Sequence, residues 1–385
     1  MRANRDEISF LVFSDDWGEH PSSCQHLFRH ISQKCKVLWV NTIGMRDPKV
    51  TLTDFYKAVN KLSKMFNWSG NSIQDEPRRN QVVVCQPLML PFAKLPGVRR
   101  INKATVRRSV RHGLAKLGIG SPILVTTVPN ACDYIGDFGE SKVIYYCVDD
   151  FSEWPGLEKM MVKKMEEELI EKSDRLIATS HKLFDKLSRS EKPTYLLTHG
   201  VDTEFFQQSI AREHALLDGI PRPRAGYYGL FDERSDHDLL AQLAQRMPDV
   251  SFVITGRVES GALSRKRLPN VYFTGSVPYT ELPAMVNGWD VLILPYVISD
   301  LTDAISPLKL KEYLATGKSI VSSPIPEVLK MKEYVFLAKT AEEWEKSLRS
   351  CLDRPENGKQ KPGADFWANE TWEKKAKQFL DDVQD

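Results

Sequence analysis

With 385 residues the chain is longer than one ordinary domain and close to what two α/β domains need. Its composition, 42% hydrophobic and 27% charged, excludes a disordered, collagenous or coiled-coil chain. The formal net charge is +2, but the ten lysines and arginines between Glu76 and Asp133 meet no acidic residue, so one face is expected to favour an anionic partner.

No apolar run approaches the roughly 20 residues that a membrane-crossing helix needs. The start, Met1-Arg-Ala-Asn-Arg-Asp-Glu7, leads straight into a strand-like segment, so a cytoplasmic location is expected, or a peripheral one at the inner face of the cell membrane. Cys24, Cys35, Cys85, Cys132, Cys147 and Cys351 form neither a C-x-x-C pair nor a zinc-spaced cluster, so neither a disulfide framework nor a metal site is expected.

Short β-branched and aromatic runs at 8–13, 36–40, 81–85, 123–127, 143–147, 176–179 and 194–197 alternate with helical stretches. This pattern predicts a parallel sheet covered on both faces. A second set follows at 225–228, 250–255, 271–273, 290–294, 319–321 and 334–337. Thr198-His-Gly-Val-Asp and the stretch through Gly219-Ile-Pro-Arg-Pro-Arg224 read as the connection between the sets. The expected organisation is a first lobe over 1–203, a second over 204–362, and a terminal helical segment over 363–385 rich in Phe366, Trp367, Trp372 and Phe379.

In open α/β sheets ligands lie at the carboxyl ends of strands, so the residues after each strand are the candidates. After the first come Asp15-Asp16-Trp17-Gly-Glu-His20, where carboxylates, an aromatic and an imidazole suit a polyhydroxyl acceptor, or a polar turn capping the next helix. After the fifth come Asp149 and Asp150, placed as a general base with a raised pKa would be. The basic segment Arg78–Lys116 carries an amphipathic stretch, Val98, Ile101, Val106, Val110, Leu114 and Leu117. It reads as a helix docked by its apolar stripe, with a basic face free for an anionic membrane surface. Nucleic acid is not the expected partner, for want of interleaved aromatics or a nucleic-acid-binding motif.

The second lobe places glycines at strand ends, Gly226-Tyr-Tyr-Gly229 and Thr255-Gly256-Arg257, where a ligand can approach the backbone. Leu294-Pro-Tyr296 ends another strand. Ser306-Pro307-Leu308-Lys309 then opens a helix that closes at Gly317. Free N–H groups at that helix start suit a diphosphate, Lys309 adds a charge, and Glu312 one turn on can accept ribose hydroxyls. The bland alternative is a solvated i, i+3 ion pair between Lys309 and Glu312.

Together the His199-Gly-Val-Asp202 crossover, the Tyr272-Phe-Thr-Gly275 strand, Leu294-Pro-Tyr296 and the Lys309-to-Lys318 helix resemble GT-B glycosyltransferases over nearly the whole chain. The nearest types are bacterial surface-polysaccharide enzymes of the teichuronic-acid kind and, more distantly, the xanthan-pathway glucuronosyltransferase. The resemblance implies two doubly wound Rossmann-like lobes, an interdomain cleft and a C-terminal helix crossing back to the first lobe. It implies transfer from a UDP-sugar, as substrate with no cofactor, to a glycan or lipid-linked oligosaccharide. Tyr145-Tyr-Cys-Val-Asp149 matches the strand that supplies the base in the xanthan-type enzyme, giving metal-independent inversion with Asp149, or Asp150, as base. Lys309 and Tyr296 take the diphosphate end, Ser276–Val277 the uracil and Glu312 the ribose. Retaining family 4 enzymes carry two glutamates eight positions apart; Glu312 supplies the second, but Ala304 occupies the first position with Asp303 beside it. A retaining family 4-like transferase, or a nucleotide-sugar epimerase or hydrolase, is the alternative. Asp-Asp-Trp-Gly after the first strand is not the Gly-rich phosphate turn of an NAD-dependent dehydrogenase.

Overall fold

A computed structural model describes residues 8–18, 21–42, 82–90, 97–208, 210–259, 268–353 and 359–384. Of the residues singled out above, His20, Glu76 and Arg78 lie outside these, as do Arg79 and Lys94 of the basic segment. The chain divides into two compact units, one running to Thr198 and completed by Lys375–Asp385, the other His199–Lys374.

Unit 1 is built on β1 (Ser9–Ser14), β2 (Lys36–Asn41), β3 (Val82–Cys85), β4 (Ile123–Thr126), β5 (Lys142–Cys147), β6 (Arg175–Ala178) and β7 (Thr194–Leu196). They form one parallel sheet in the order β3-β2-β1-β4-β5-β6-β7. Strand alternation sends Phe10, Val12, Val37 and Trp39 to one face and Leu11, Phe13, Leu38 and Val40 to the other, and both faces are buried. The helix Val98–Leu117 covers the second face through Val106, Val110 and Leu114. The helix Trp372–Gln384 covers the first, its Phe379 ring lying 5.7 Å from Phe28 and 6.0 Å from Tyr146. The expected return of the C-terminal helix to the first lobe is therefore present. It is two helices, Ala364–Glu370 and Trp372–Gln384, because Thr371 is extended and the Glu370 carbonyl accepts from Val201 N at 2.8 Å.

Unit 2 holds β8 (Arg224–Tyr228), β9 (Ser251–Thr255), β10 (Val271–Gly275), β11 (Val291–Leu294), β12 (Ile320–Ser322) and β13 (Phe336–Leu337). These also form one parallel sheet, ordered β10-β9-β8-β11-β12-β13. Every strand-like run of the sequence lies on one of these strands. In each unit the order reverses beside the first strand, between β1 and β4 and between β8 and β11. The carboxyl ends flanking such a reversal are where an open α/β sheet receives its ligand.

Candidate functional site

The residues at the reversal of unit 2 are packed in layers that leave no room for side chains. Gly229, just past β8, has φ +116 and donates its N–H to the Thr255 carbonyl at 2.8 Å. Gly256, just past β9, has φ +132 and donates to the Gly275 carbonyl at 2.8 Å. A Cβ on Gly256 would lie 2.1 Å from the Gly229 carbonyl oxygen, and one on Gly229 would lie 2.3 Å from Lys309 Cε. Lys309 therefore lies across the bare backbone of Gly229.

Lys309 belongs to the first turn of the helix Leu308–Ala315, whose N-cap, Pro307, offers no capping side chain. The ammonium and the first-turn N–H groups thus belong to the same helix start, although Leu310 N is already spent on the Pro307 carbonyl at 3.0 Å. Lys309 Nζ sits 5.3 Å from the centroid of the Tyr227 ring and makes no ion pair among the described residues. Burial opposes its charge, but the phenols of Tyr227 and Tyr296 outweigh this and hold its pKa above the ordinary lysine value. Burial pushes the Tyr296 phenol up to about 12. Lys311, two residues on, anchors the helix by donating to the His199 carbonyl and pairing with Glu370.

Glu312 is no solvated partner of Lys309; it is 4% exposed. Tyr228 Oη donates to its Oε2 at 2.6 Å and Tyr279 Oη to its Oε1 at 3.1 Å. Burial raises the Glu312 pKa, and the two phenols and Lys309 offset only part of that. Each carboxylate oxygen keeps a second lone pair for a ligand hydroxyl. Tyr279 is itself fixed by stacking on Phe205, with centroids 5.0 Å apart and planes at 6°.

The other candidates of this unit are spread around these. Tyr296 follows β11 and is buried, its segment held where Asp236 N donates to the Pro295 carbonyl at 2.7 Å and Val297 N to the Arg234 carbonyl at 2.9 Å. Ser276 is exposed and Val277 half-buried, just beyond β10. Ser306, Pro307 and Leu308 lead into the helix. Arg257 is exposed and pairs loosely with Glu259 at 3.6 Å. Tyr227, Tyr228 and Tyr279 were missed in the sequence, where Tyr227-Tyr228 stood out only for its flanking glycines.

In unit 1 the two aspartates after β5 have different surroundings. Asp150 Oδ1 accepts from Ser152 N at 3.2 Å and Ser152 Oγ at 2.7 Å, and pairs with Lys186 at 3.0 Å. Burial would raise its pKa, but Lys186 and Ser152 prevail and lower it. Lys186 also meets Glu166 at 2.7 Å, and Glu166 accepts from the buried Tyr145 hydroxyl at 2.9 Å. Asp150 thus pins the loop, while Asp149, half-buried, precedes it. Replacing Lys186 with methionine strands two carboxylates and is expected to cost about 1–3 kcal/mol in urea unfolding at pH 7. Because the Asp150 pKa is depressed, its share of the stability is complete above the ordinary carboxylate range and lost as pH falls through the lowered value. The variant's deficit should therefore shrink in acid.

Asp15 spends its carboxylate locally, accepting from Ser14 Oγ at 2.8 Å, Ser22 Oγ at 2.9 Å and Gln25 Nε2 at 2.5 Å. The Asp16 carbonyl also accepts from Gln25 Nε2, at 3.1 Å. Trp17 packs edge-on against Trp39 at 4.7 Å, with the Arg29 guanidinium 5.9 Å from its ring. The basic helix is partly neutralised: Arg99 pairs with Asp133, and Lys103 and Arg107 with Asp137, at 3.1 and 3.9 Å. Among the described residues, Cys132, Asp133 and Glu168 lie close enough together to hold a cation, but Asp133 already holds Arg99.

Residues 222–354 match the family model described as glycosyl transferases group 1. The protein described as teichuronic acid biosynthesis glycosyltransferase TuaH, from Bacillus subtilis (strain 168), is 31% identical over 188 residues, 46% of this chain and 47% of that protein. The match thus spans about half the length of that relative. Among solved structures, the sucrose-phosphate synthase of Thermosynechococcus elongatus superposes with a TM-score of 0.71 at 16% identity, over 97% of this chain and 98% of that one. Anabaena Alr3699/HepE, in complex with UDP and glucose, gives 0.63 at 11% identity over 98% and 99%. A trehalose-6-phosphate synthase studied for glycosyl transfer with retention gives 0.61 at 11% identity over 97% and 98%. The fold is that of the GT-B enzymes.

Proposed function

We propose that this chain, whose second unit belongs to the group 1 glycosyltransferases, transfers a sugar from a UDP-sugar to a glycan or lipid-linked glycan without a metal. The observation that carries this is Lys309: an ammonium with no ion pair among the described residues, lying over Gly229 at an uncapped helix start beside a sheet reversal. A full positive charge at an uncapped helix start fits a diphosphate that must leave with negative charge. Glu312, with a free lone pair on each oxygen, takes the ribose hydroxyls, and Ser276–Val277 lies against the uracil. Asp15, Asp16 and Trp17 stand by the reversal of unit 1, where the acceptor is bound.

Retention has more support than the inversion expected from Asp149. The family match and the retention studied in a trehalose-6-phosphate synthase of the same fold both favour it. Retention in a single displacement needs the acceptor hydroxyl to enter on the face that UDP leaves. The new bond forms from the acceptor oxygen to the anomeric carbon as the carbon–phosphate oxygen bond breaks, and the acceptor proton passes to the departing phosphate oxygen. Asp149 is then dispensable as a base.

Two measurements test the reading. Calorimetric titration in EDTA with UDP, GDP and ADP should show binding of UDP alone; metal-dependent binding, or none, would sink it. NMR of the product from an α-linked UDP-sugar should show an α-linkage, and Asp149→Asn should slow turnover less than tenfold. A β-linked product with a loss of 10²–10⁴ would restore Asp149 as base.

A further inference from the structure

The basic helix of unit 1 separates into a spent flank and a free one. Arg99, Lys103 and Arg107 are drawn to Asp133 and Asp137, and Arg111 donates to the Asp137 carbonyl at 2.9 and 3.1 Å. Arg100 and Arg108 are exposed and have no ion pair among the described residues. At 100° per residue Arg108 lies opposite the buried stripe of Val98, Asn102, Val106, Val110 and Leu114, and Arg100 lies about 80° round from Arg108, beside Arg107 and Arg111. Ile101, 52% exposed, lies beside Arg108, about 20° further round.

An extended segment beside the helix adds to this edge. Its backbone is pinned by Asn102, whose side chain bonds Leu90 N at 2.7 Å and Leu90 O at 2.9 Å, and by Thr105 Oγ1, which donates to Leu88 O at 2.7 Å. Alternation puts Met89 into the core and turns Leu88 and Leu90 outward, 49% and 40% exposed. Three large aliphatic side chains and Arg108 thus share one edge, with Arg100 on the adjoining outer side and likewise without an ion pair, which no core requirement explains.

We infer that this edge docks the protein on an anionic phospholipid surface, with Leu88, Leu90 and Ile101 entering the headgroup layer and Arg100 and Arg108 meeting lipid phosphates. Aliphatic tips flanked by cations, in a sequence stretch without one carboxylate, match such a surface in charge and in polarity. Among the described residues no helix is long and apolar enough to cross a membrane. The proposed transfer gives the edge its purpose, presenting a lipid-linked acceptor, but the surface itself does not depend on it.

Flotation of the full chain with vesicles tests the inference, using phosphatidylcholine alone or with 30 to 40% phosphatidylglycerol (a mixture on the order of that in an anionic leaflet). The wild type should float with the anionic vesicles only. Arg100→Gln with Arg108→Gln should weaken binding about 20–30-fold, on the order of fivefold per cation. Leu88→Ser, Leu90→Ser and Ile101→Ser together should abolish the binding that survives 0.5 M salt (about a 4 Å screening length). Lys103→Gln, on the spent flank, is the control and should change binding less than twofold. Equal flotation with neutral vesicles, or wild-type flotation by both edge variants, would overturn the inference, the second result pointing to a protein partner for the edge. UDP titration of the same variants keeps the two readings apart: loss of UDP binding with flotation intact counts against the transfer alone.

Discussion

Lys309→Met should leave the second unit folded and lower its affinity for UDP by about 30–150-fold, the loss of a charge-assisted interaction of ~2–3 kcal/mol. Methionine keeps an apolar stem over Gly229 and the Tyr227 ring, so the change removes the charge and little of the packing. The effect on kcat/KM should be larger than on binding, roughly 10²–10³, because charge builds on the diphosphate as the sugar departs. Calorimetry and single-turnover kinetics on the same preparation check both halves. Lys309→Arg is not a conservative rescue, since the broader guanidinium must fit a notch that excludes even a Cβ on Gly229. The pH dependence has a definite sign. The raised pKa of Lys309 keeps its charge well into alkali, whereas the raised pKa of Glu312 lets it protonate earlier than an ordinary glutamate as pH falls. UDP affinity should therefore fall on the acid side, and Glu312→Gln should shrink that acid limb along with part of the affinity, leaving the share that protonation of UDP's own terminal phosphate contributes. If Lys309→Met binds UDP as the wild type does, the diphosphate lies elsewhere.

Much of this site could be read in the sequence because its signals are local. Parallel strands buried on both faces are continuous β-branched and aromatic runs, so each strand was visible, and the strand-end rule directed attention to Gly229, Gly256 and Tyr296. The helix bearing Lys309 announced itself by Pro307 before it and Gly317 after it. What the sequence did not carry is pairing at a distance. Asp150 meets Lys186 thirty-six residues away, across two elements, so it read as a second base when it is a loop anchor. The acid-free stretch read as one cationic face, yet Asp133 and Asp137, at and beyond its end, fold back and neutralise one flank of it. The phenols on Glu312 come from β8 and from the turn before Leu282, and only the fold brings Tyr228 and Tyr279 to one carboxylate. The break at Thr371 was hidden for a related reason: Val201, far away in sequence, takes the Glu370 carbonyl and ends a helix that local propensity would continue.

Gly256→Ala should be among the most damaging single-methyl changes in the second unit. At φ +132 the backbone is where L side chains rarely go, a strain of about 1–3 kcal/mol. The new Cβ also lands 2.1 Å from the oxygen and 2.8 Å from the carbon of the Gly229 carbonyl. Those are backbone atoms, held because Gly229 N donates to the Thr255 carbonyl, so no rotamer change can relieve the clash. Overpacking of this kind adds about 1–3 kcal/mol, giving roughly 2–6 kcal/mol in all. At ~2–4 °C per kcal/mol for a unit of this size, Tm should drop by about 5–20 °C. Gly219→Ala separates strain from clash: its φ is +81, but nothing lies within 4 Å of the added Cβ, so it should cost only the strain and leave UDP binding intact. In Gly256→Ala the Gly229 backbone must move, and Lys309 is seated on it, so UDP affinity should fall with stability even at temperatures where the variant is folded. Equal Tm losses in the two variants would mean that the strand ends yield. Unchanged UDP affinity in a folded Gly256→Ala would mean that the seat of Lys309 does not depend on the glycine layer.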